Sequence, residues 1–236
     1  MAKARNPIDL YYWPTPNGWK ISIMLEECGF PYDVKYIDIL AGEQFKPEFL
    51  AISPNNRMPA IVDRDGPGGK PISIFESGAI LQYLGNKSGK LYPPEIHQRI
   101  DVDQWLFWQM AGLGPMSGQA GHFRNYARQT IPYAIARYTN EVARLYGVMN
   151  KRLADRPFLA GNYSIADIAC YPWVTSAERL GQNLESFPHL QRWYETIGAR
   201  PAVIRGMALG ADRRASPDRL KNDDKVHEIL FGTHRN

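Results

Sequence analysis

The sequence predicts an α/β domain followed by an all-α domain. In the first 87 residues, β-rich segments alternate with helical ones in the order β-α-β and then β-β-α. After a polar, proline-containing break, the apolar residues recur at helical spacing. With 236 residues and 44% hydrophobic content, the chain is long enough for two ordinary domains. We therefore expect an α/β domain at 1–87, a linker at 88–97, a helical domain at 98–205 and a polar, loosely held tail at 206–236.

Turn residues and hydrophobic period predict the elements of the first domain. The β-rich segment IDLYYW (8–13) ends at a turn bounded by two prolines. The segment that follows (17–29) has apolar residues at helical spacing and ends in Gly29, a typical C-cap. An alternating segment (32–39) predicts a second strand. A hairpin with a Gly/Pro-rich loop and then a helix complete the domain, at 59–63, 71–75 and 76–87.

Three patterns predict helices in the second half. Pro132 suits the first turn of a long helix that ends near Leu153. Ser164 and Asp167 have the spacing of a capping box, which marks the start of another helix. The segment 188–201 repeats apolar residues at i, i+3, i+4 and i+7.

Two further stretches of the second half carry aromatic residues. Residues 98–110 are aromatic-rich, and we expect Trp105, Phe107 and Trp108 to pack in the core. The stretch GQAGHFRNYARQ (118–129) is glycine-containing and both polar and aromatic, so we expect it to line an open pocket.

Composition excludes several classes of function. No apolar run reaches the ~20 residues that a membrane span needs, and no secretory signal is visible, so we expect a cytoplasmic protein without a membrane partner. The two cysteines, Cys28 and Cys170, form no C-x-x-C motif, and the five histidines lack metal-ligand spacing. We predict no metal site. The net charge of +4 comes from mixed signs, which does not favour nucleic-acid binding.

Three stretches, in order and suitably spaced, resemble the glutathione transferase superfamily: EQFKPEFLAISPNNRMPAIVD, FESGAILQYL and LAGNYSIADIACYPWV. The resemblance covers roughly residues 7–205. PTPNG, LFWQMAGLGPMSGQ and QTIPYAIARY narrow it to the bacterial nu-class transferases, glutathione-dependent disulfide-bond oxidoreductases, and their relatives in the prion-forming nitrogen-regulator branch. It implies a thioredoxin-like first domain with a mixed four-stranded sheet, a helical second domain, a homodimer, and glutathione as cosubstrate.

The resemblance also implies where glutathione binds. Pro59 can hold a cis bond, which would turn the backbone of Met58 outward to pair with the cysteine moiety of glutathione. The alternative is an ordinary turn before a strand. Ser77, at a helix N-terminus, would hold the γ-glutamyl carboxylate, while Glu76 would accept from the ammonium group. The alternative for this pair is a purely capping role, and both roles are compatible.

Three more residues are assigned to glutathione by the resemblance alone. Gln44 would lie on the loop beside the bound peptide, and Arg57 would meet a glutathione carboxylate. For both, the alternative is a solvated surface side chain. Arg137 matches a position that in nu-class relatives reaches the glutathione site of the partner subunit, and its alternative is an exposed helix cation.

Most members of the superfamily activate the glutathione thiol with a residue near the end of the first strand. Here the candidates are Tyr11, Tyr12, Thr15 and Asn17. The two tyrosines fall inside the strand, where packing is the simpler role, so we predict that Thr15 and Asn17 are the catalytic pair. In this interpretation the ligand brings its own sulfur, and neither cysteine acts as a nucleophile because both fall on predicted helices as small buried side chains.

The predicted activity is reduction of a disulfide by the glutathione thiolate. Two alternatives remain open. The first is a conjugating transferase or organic hydroperoxide reductase, with an electrophile or a peroxide as partner. The second is a non-catalytic regulatory module, but the chain lacks the long Asn/Gln-rich extension of the prion-type regulator.

Overall fold

The computed structural model describes residues 6–232, and in that range it has a four-stranded sheet and eleven α-helices. In chain order the elements are β1 (Ile8–Tyr12), α1 (Pro16–Cys28), β2 (Tyr32–Tyr36), α2 (Pro47–Leu50), β3 (Ala60–Asp63), β4 (Ile72–Phe75), α3 (Ser77–Ser88), α4 (Ile96–Trp108), α5 (Gly114–Gly121), α6 (Pro132–Arg152), α7 (Ile165–Val174), α8 (Pro188–Gly198), α9 (Pro201–Ala208), α10 (Pro217–Asn222) and α11 (Asp224–Phe231). Two π-helical segments, Gln109–Leu113 and His122–Tyr126, flank α5.

The sheet has the order β2-β1-β3-β4. Strands β1 and β2 are parallel, while β3 runs antiparallel to both β1 and β4. This is the mixed four-stranded sheet that the resemblance implies, and an all-helical half follows it. Both parts of the fold prediction are confirmed.

The first helix begins where the sequence places the proline-bounded turn. Thr15 is its N-cap in an extended conformation, Pro16 occupies the first turn, and Gly29 closes the helix in the left-handed region. Gly18 has no room for a side chain, since an added Cβ would lie 2.2 Å from the carbonyl oxygen of Trp13. The first turn of α1 therefore packs directly on the end of β1.

Helix α1 is buried on both sides, which decides the environment of its polar residues. It packs against α3 of the first half and against α7 and α9 of the second. Nine of its thirteen residues are buried, including Lys20 and Ser22. One continuous hydrophobic core extends from Leu10 in the sheet to Trp193 in the helical half.

The long helix and the capping box of the second half are also as predicted. Helix α6 begins at Pro132. At the start of α7, the Ser164 side chain accepts from the first turn and the Asp167 carboxylate accepts from the Ser164 backbone. Asp167 also accepts hydrogen bonds from Leu159 N and Trp193 Nε1, so it joins α7 to α8.

One prediction about the core is wrong. Phe107 is 61% exposed, whereas Trp105 and Trp108 are partly buried against the core. Residues 105 and 108 share a face of α4, but residue 107 is rotated about 200° from 105, so a single buried face cannot hold all three.

The chain after Gly206 differs from the expected loosely held tail. Helices α10 and α11 lie there, and Val226 of α11 is 3% exposed in a cluster with Trp13 and Leu40. An ion pair of 2.6 Å between Arg128 and Asp224 joins the start of α11 to the helical half. The apolar residues of the segment are few, but Val226 and Leu230 are four residues apart on one side of α11 and pack in this cluster, which explains why the polar composition did not predict the packing.

Within residues 6–232, the structure has no helix that is long and apolar enough to cross a membrane.

Candidate functional site

A cavity of about 370 Å³ opens where the N-termini of α1 and α3 approach each other; we call it the first cavity. Its lining comes from both halves of the chain and consists of Thr15, Pro16, Asn17, Arg57, Met58, Pro59, Glu76, Ser77 and Trp173. Seven of the nine residues predicted for the site are in this lining. Four segments that are far apart in the sequence thus meet at one place.

Thr15 places a hydroxyl at the N-terminus of α1. Its Oγ1 accepts a 3.4 Å hydrogen bond from Gly18 N, which caps the helix, and donates to the Met58 sulfur at 3.6 Å. A thioether is a weak acceptor, so an anion in the cavity would compete well for this hydroxyl. Asn17 is half-buried in the first turn of the same helix and lines the same cavity.

The Met58–Pro59 peptide bond is cis, as expected from the sequence. The loop before it is fixed by a 2.7 Å hydrogen bond from the Ser53 hydroxyl to the Arg57 carbonyl oxygen. Met58 lines the cavity beside Thr15, whose hydroxyl reaches the Met58 sulfur. Arg57 is exposed at the edge of the cavity.

Glu76 and Ser77 occupy the junction between β4 and α3. Glu76 has a φ of 69°, an uncommon conformation for a residue with a side chain. Its carboxylate makes no capping bond to α3 and lines the cavity. Glu76 is nevertheless the N-cap residue of α3, and its carbonyl oxygen accepts from Ile80 N at 3.0 Å, so the capping position and the predicted ligand role are compatible. Ser77 is buried in the first turn, where the positive end of the helix dipole lies.

Lys20 is a polar residue of this region that was not predicted from the sequence. Its side chain is 1% exposed and crosses from α1 to both neighbouring elements: Nζ donates to Ser77 Oγ at 3.2 Å and to Gln109 Oε1 at 2.7 Å. Burial lowers the pKa of this ammonium to about 7, although Cys170 and Glu76 act in the opposite direction. No signal in the sequence separates this lysine from a solvent-exposed one, because its burial depends on the packing of the helical half.

Two predicted residues are not brought to the cavity. Gln44 is buried, and its Nε2 donates to Ile39 O at 3.4 Å. It lines neither this cavity nor the adjoining second cavity described below. Because it is buried, Gln44 is also not the solvated surface side chain that was its alternative role. Arg137 lies exposed on α6, 3.9 Å from Glu141. The ligand roles of both residues stay predictions.

A second cavity of about 340 Å³ adjoins the first and shares Thr15, Pro16, Arg57 and Trp173 with it. Part of its lining is apolar. These residues are Trp13, Ile39 and Leu40 of the first half and Leu220, Leu230 and Phe231 of the C-terminal helices α10 and α11. The lining also includes Gly118, Gly121, Asn125 and Tyr126, so the stretch 118–129 does line a pocket. The charged side chains in the lining are all arginines, namely Arg57, Arg179 and Arg214.

The cysteines and tyrosines considered as nucleophiles lie elsewhere. Cys28 and Cys170 are free and buried, line neither cavity, and have thiol pKa values that burial raises. Tyr12 is fully buried in β1 and donates to Leu209 O at 3.1 Å, and burial raises its pKa. Burial likewise raises the pKa of Tyr11. Across the part of the chain that the structure describes, no cluster of three His, Cys, Asp or Glu side chains could hold a metal ion.

Comparison with known proteins gives the family. The family model for the glutathione S-transferase N-terminal domain matches residues 6–86, and the model for the C-terminal domain matches residues 134–201. The chain is 54% identical over 204 residues to the disulfide-bond oxidoreductase YfcG of Escherichia coli, covering 86% of this chain and 94% of that protein. The chain belongs to the glutathione S-transferase family. It is an enzyme of that family, as the resemblance implied.

Two solved structures of glutathione transferases share the fold closely. One, from Burkholderia graminis, has two glutathione molecules bound per subunit; it superposes with a TM-score of 0.83 at 43% identity, over 87% of this chain and 89% of that one. The other, from Pseudomonas putida, has one glutathione disulfide bound per subunit; its TM-score is 0.83 at 43% identity, over 89% of this chain and 94% of that one.

Proposed function

We propose that this glutathione S-transferase family member is a glutathione-dependent disulfide-bond oxidoreductase. Glutathione would occupy the first cavity and the disulfide substrate the second. The observation that carries the proposal is the first cavity itself, where the Thr15 hydroxyl lies at the N-terminus of α1 and no cysteine of the protein is in the lining. The name of the Escherichia coli relative and the ligands of the two bacterial structures support the same activity.

The residues of the first cavity suit each part of glutathione. The Met58 backbone would pair with the cysteine moiety, as in the addition of a short extended strand. Ser77 would donate to the γ-glutamyl carboxylate at the positive end of α3, while the exposed Glu76 carboxylate would accept from the ammonium group. Arg57, at the edge shared by both cavities, would meet a second carboxylate.

The glutathione sulfur would then lie near Thr15 and Asn17. A free cysteine-type thiol has a pKa of about 8.5, and lowering it by about two units takes roughly 2.7 kcal/mol of preference for the anion. One hydrogen bond to a charged acceptor contributes about 1.5–3 kcal/mol, and a helix N-terminus adds typically 0.3–1 kcal/mol. The Thr15 hydroxyl and the N-terminal turn of α1 are together sufficient, so no protein base is needed.

The reaction proceeds by thiol–disulfide exchange. The glutathione thiolate attacks one sulfur of the substrate disulfide, forming a glutathione mixed disulfide and expelling the other substrate sulfur as a thiolate. A second glutathione thiolate attacks the glutathione sulfur of that mixed disulfide. The products are glutathione disulfide and the second substrate thiolate, and the two electrons come from the two glutathione molecules. This chemistry fits a cytoplasmic location, where thiols are kept reduced.

The proposal includes a homodimer. Ile96, Ile100 and Phe107 are 59%, 47% and 61% exposed and lie on one face of α4, since they are separated by four and seven residues. Phe75 on β4 is also exposed. Such an apolar stripe suits an interface with a second copy. In this arrangement Arg137 would act on the glutathione site of the partner subunit.

The cysteine-free mechanism is tested by a Cys28→Ser/Cys170→Ser double variant. Turnover of a small disulfide with glutathione should match the wild type, because neither thiol lines a cavity. Loss of activity in a double variant with an unchanged circular dichroism spectrum contradicts the mechanism. A panel with an aromatic electrophile and an organic hydroperoxide, run on the wild type, tests the alternatives: faster turnover of either would make that the principal activity.

A further inference from the structure

We propose that Lys20 is a positioning residue that holds Ser77 and supplies the positive charge behind the γ-glutamyl carboxylate of glutathione. This inference rests on the proposed function, in which that carboxylate accepts from Ser77. It assigns a ligand-dependent role to a buried side chain that the exchange reaction itself does not use.

None of the three hydrogen-bond partners of the Lys20 ammonium carries a charge. Nζ donates to Ser77 Oγ at 3.2 Å and to Gln109 Oε1 at 2.7 Å, and the Met110 sulfur lies at 3.8 Å. All three partners are uncharged. A fully buried ammonium is costly unless it is paired with an anion. A ligand carboxylate bound at Ser77 would therefore lie one hydrogen bond away from an ammonium that has no carboxylate among its hydrogen-bond partners.

Ser77 is the partner through which an anion can reach this charge. Of the three, Ser77 alone lines the first cavity. Its hydroxyl donates to the Met110 sulfur at 3.7 Å, a weak acceptor that a carboxylate would replace. The resulting chain runs from the Lys20 ammonium through the Ser77 hydroxyl to the carboxylate, and each bond polarises the next.

The groups that face Lys20 determine how binding depends on pH. Glu76 faces it from the β4–α3 junction and Cys170 from α7, and both favour the charged form, while the π segment Gln109–Leu113 contributes the neutral Gln109. Burial outweighs them and lowers the Lys20 pKa to about 7. A carboxylate at Ser77 favours the charged form of Lys20 and raises this pKa. At a pH between the Lys20 pKa of the free protein and that of the complex, binding is therefore accompanied by proton uptake. Affinity is then highest below pH 7 and falls as the pH rises above it.

The test is calorimetric titration at pH 7.5 with S-methylglutathione, whose sulfur cannot ionise, in two buffers that differ in ionisation enthalpy. The wild type should take up about half a proton or more on binding, given a starting pKa near 7. Lys20→Met should take up correspondingly less and bind about tenfold or more weakly. The matched control is Lys35→Met, which removes an exposed lysine of β2 and should behave as the wild type.

A ligand analogue makes the test specific to the carboxylate. When the γ-glutamyl residue is replaced by 4-aminobutyrate, the carboxylate is gone, and the wild type and Lys20→Met should bind the analogue equally. A merely structural lysine would weaken both ligands alike, which would overturn the proposal. If Lys20→Met does not fold, wild-type proton uptake with the two ligands decides alone: equal uptake overturns the proposal. A wild type that binds neither ligand contradicts the proposed function itself.

Discussion

Replacing Thr15 by valine removes one hydroxyl and keeps the shape of the side chain. In the proposed mechanism this hydroxyl donates to the glutathione thiolate, a bond to a charged acceptor that is worth about 1.5–3 kcal/mol. Its loss should raise the pKa of the bound thiol by about one to two units. The helix should suffer little, because the capping bond from Gly18 N is long at 3.4 Å, which places its loss near the lower end of the usual 0.5–2 kcal/mol.

The assay is kcat/KM for disulfide reduction as a function of pH. The rise in rate that follows thiolate formation should move to higher pH by about one to two units in Thr15→Val. With a wild-type midpoint of about 6.5, activity at pH 7 then falls roughly three- to twenty-five-fold. Thr15→Ser retains the hydroxyl and should keep the wild-type profile. If Thr15→Val loses activity without a shift in its pH profile, Thr15 does not stabilise the thiolate.

Three further predictions concern stability and the second cavity. Asp167→Asn replaces a carboxylate that accepts hydrogen bonds from Trp193 Nε1 and three other donors. The free energy of unfolding, measured by denaturant titration, should therefore fall by about 3 kcal/mol. An unchanged midpoint would refute the role of this network. Phe231→Ala removes an aromatic side chain of α11 from the lining of the second cavity. The KM for an aromatic disulfide should rise about three- to tenfold, while the KM for glutathione stays constant. Equal changes in both KM values would contradict the binding of the two substrates in separate cavities. Although burial opposes ionisation of Asp63, the Lys87 ammonium at 2.5 Å helps hold the pKa of this carboxyl below its usual value. The ionised carboxylate therefore stabilises the fold above about pH 4, and this stabilisation is lost as the pH falls through the lowered pKa. In Asp63→Asn, the free energy of unfolding should depend less on pH in this acidic range.

Much of the fold was predictable because its determinants are local. The first helix is bounded by Thr15 and Gly29, and both act through their own backbone geometry. The capping box of Ser164 and Asp167 is likewise local. At the site, motif resemblance placed seven residues in one cavity because they stand next to helix starts and to the cis proline.

The missed features depend on long-range packing. Lys20 is polar and stands beside the apolar stripe of α1, so only the helical half that covers α1 makes it buried. The C-terminal segment is polar on average, and a few apolar residues, such as Val226, suffice to dock it. The sequence likewise did not specify the side-chain direction of Gln44, which donates to Ile39 O and lines neither cavity; its ligand role stays a prediction.

The central claim is that the protein lowers the pKa of a thiol that it does not itself supply. Ultraviolet absorbance of the thiolate, followed against pH with glutathione bound to the Cys28→Ser/Cys170→Ser variant, measures this directly. The account predicts a midpoint about two units below that of free glutathione. A bound thiol that titrates at the same pH as in buffer contradicts it.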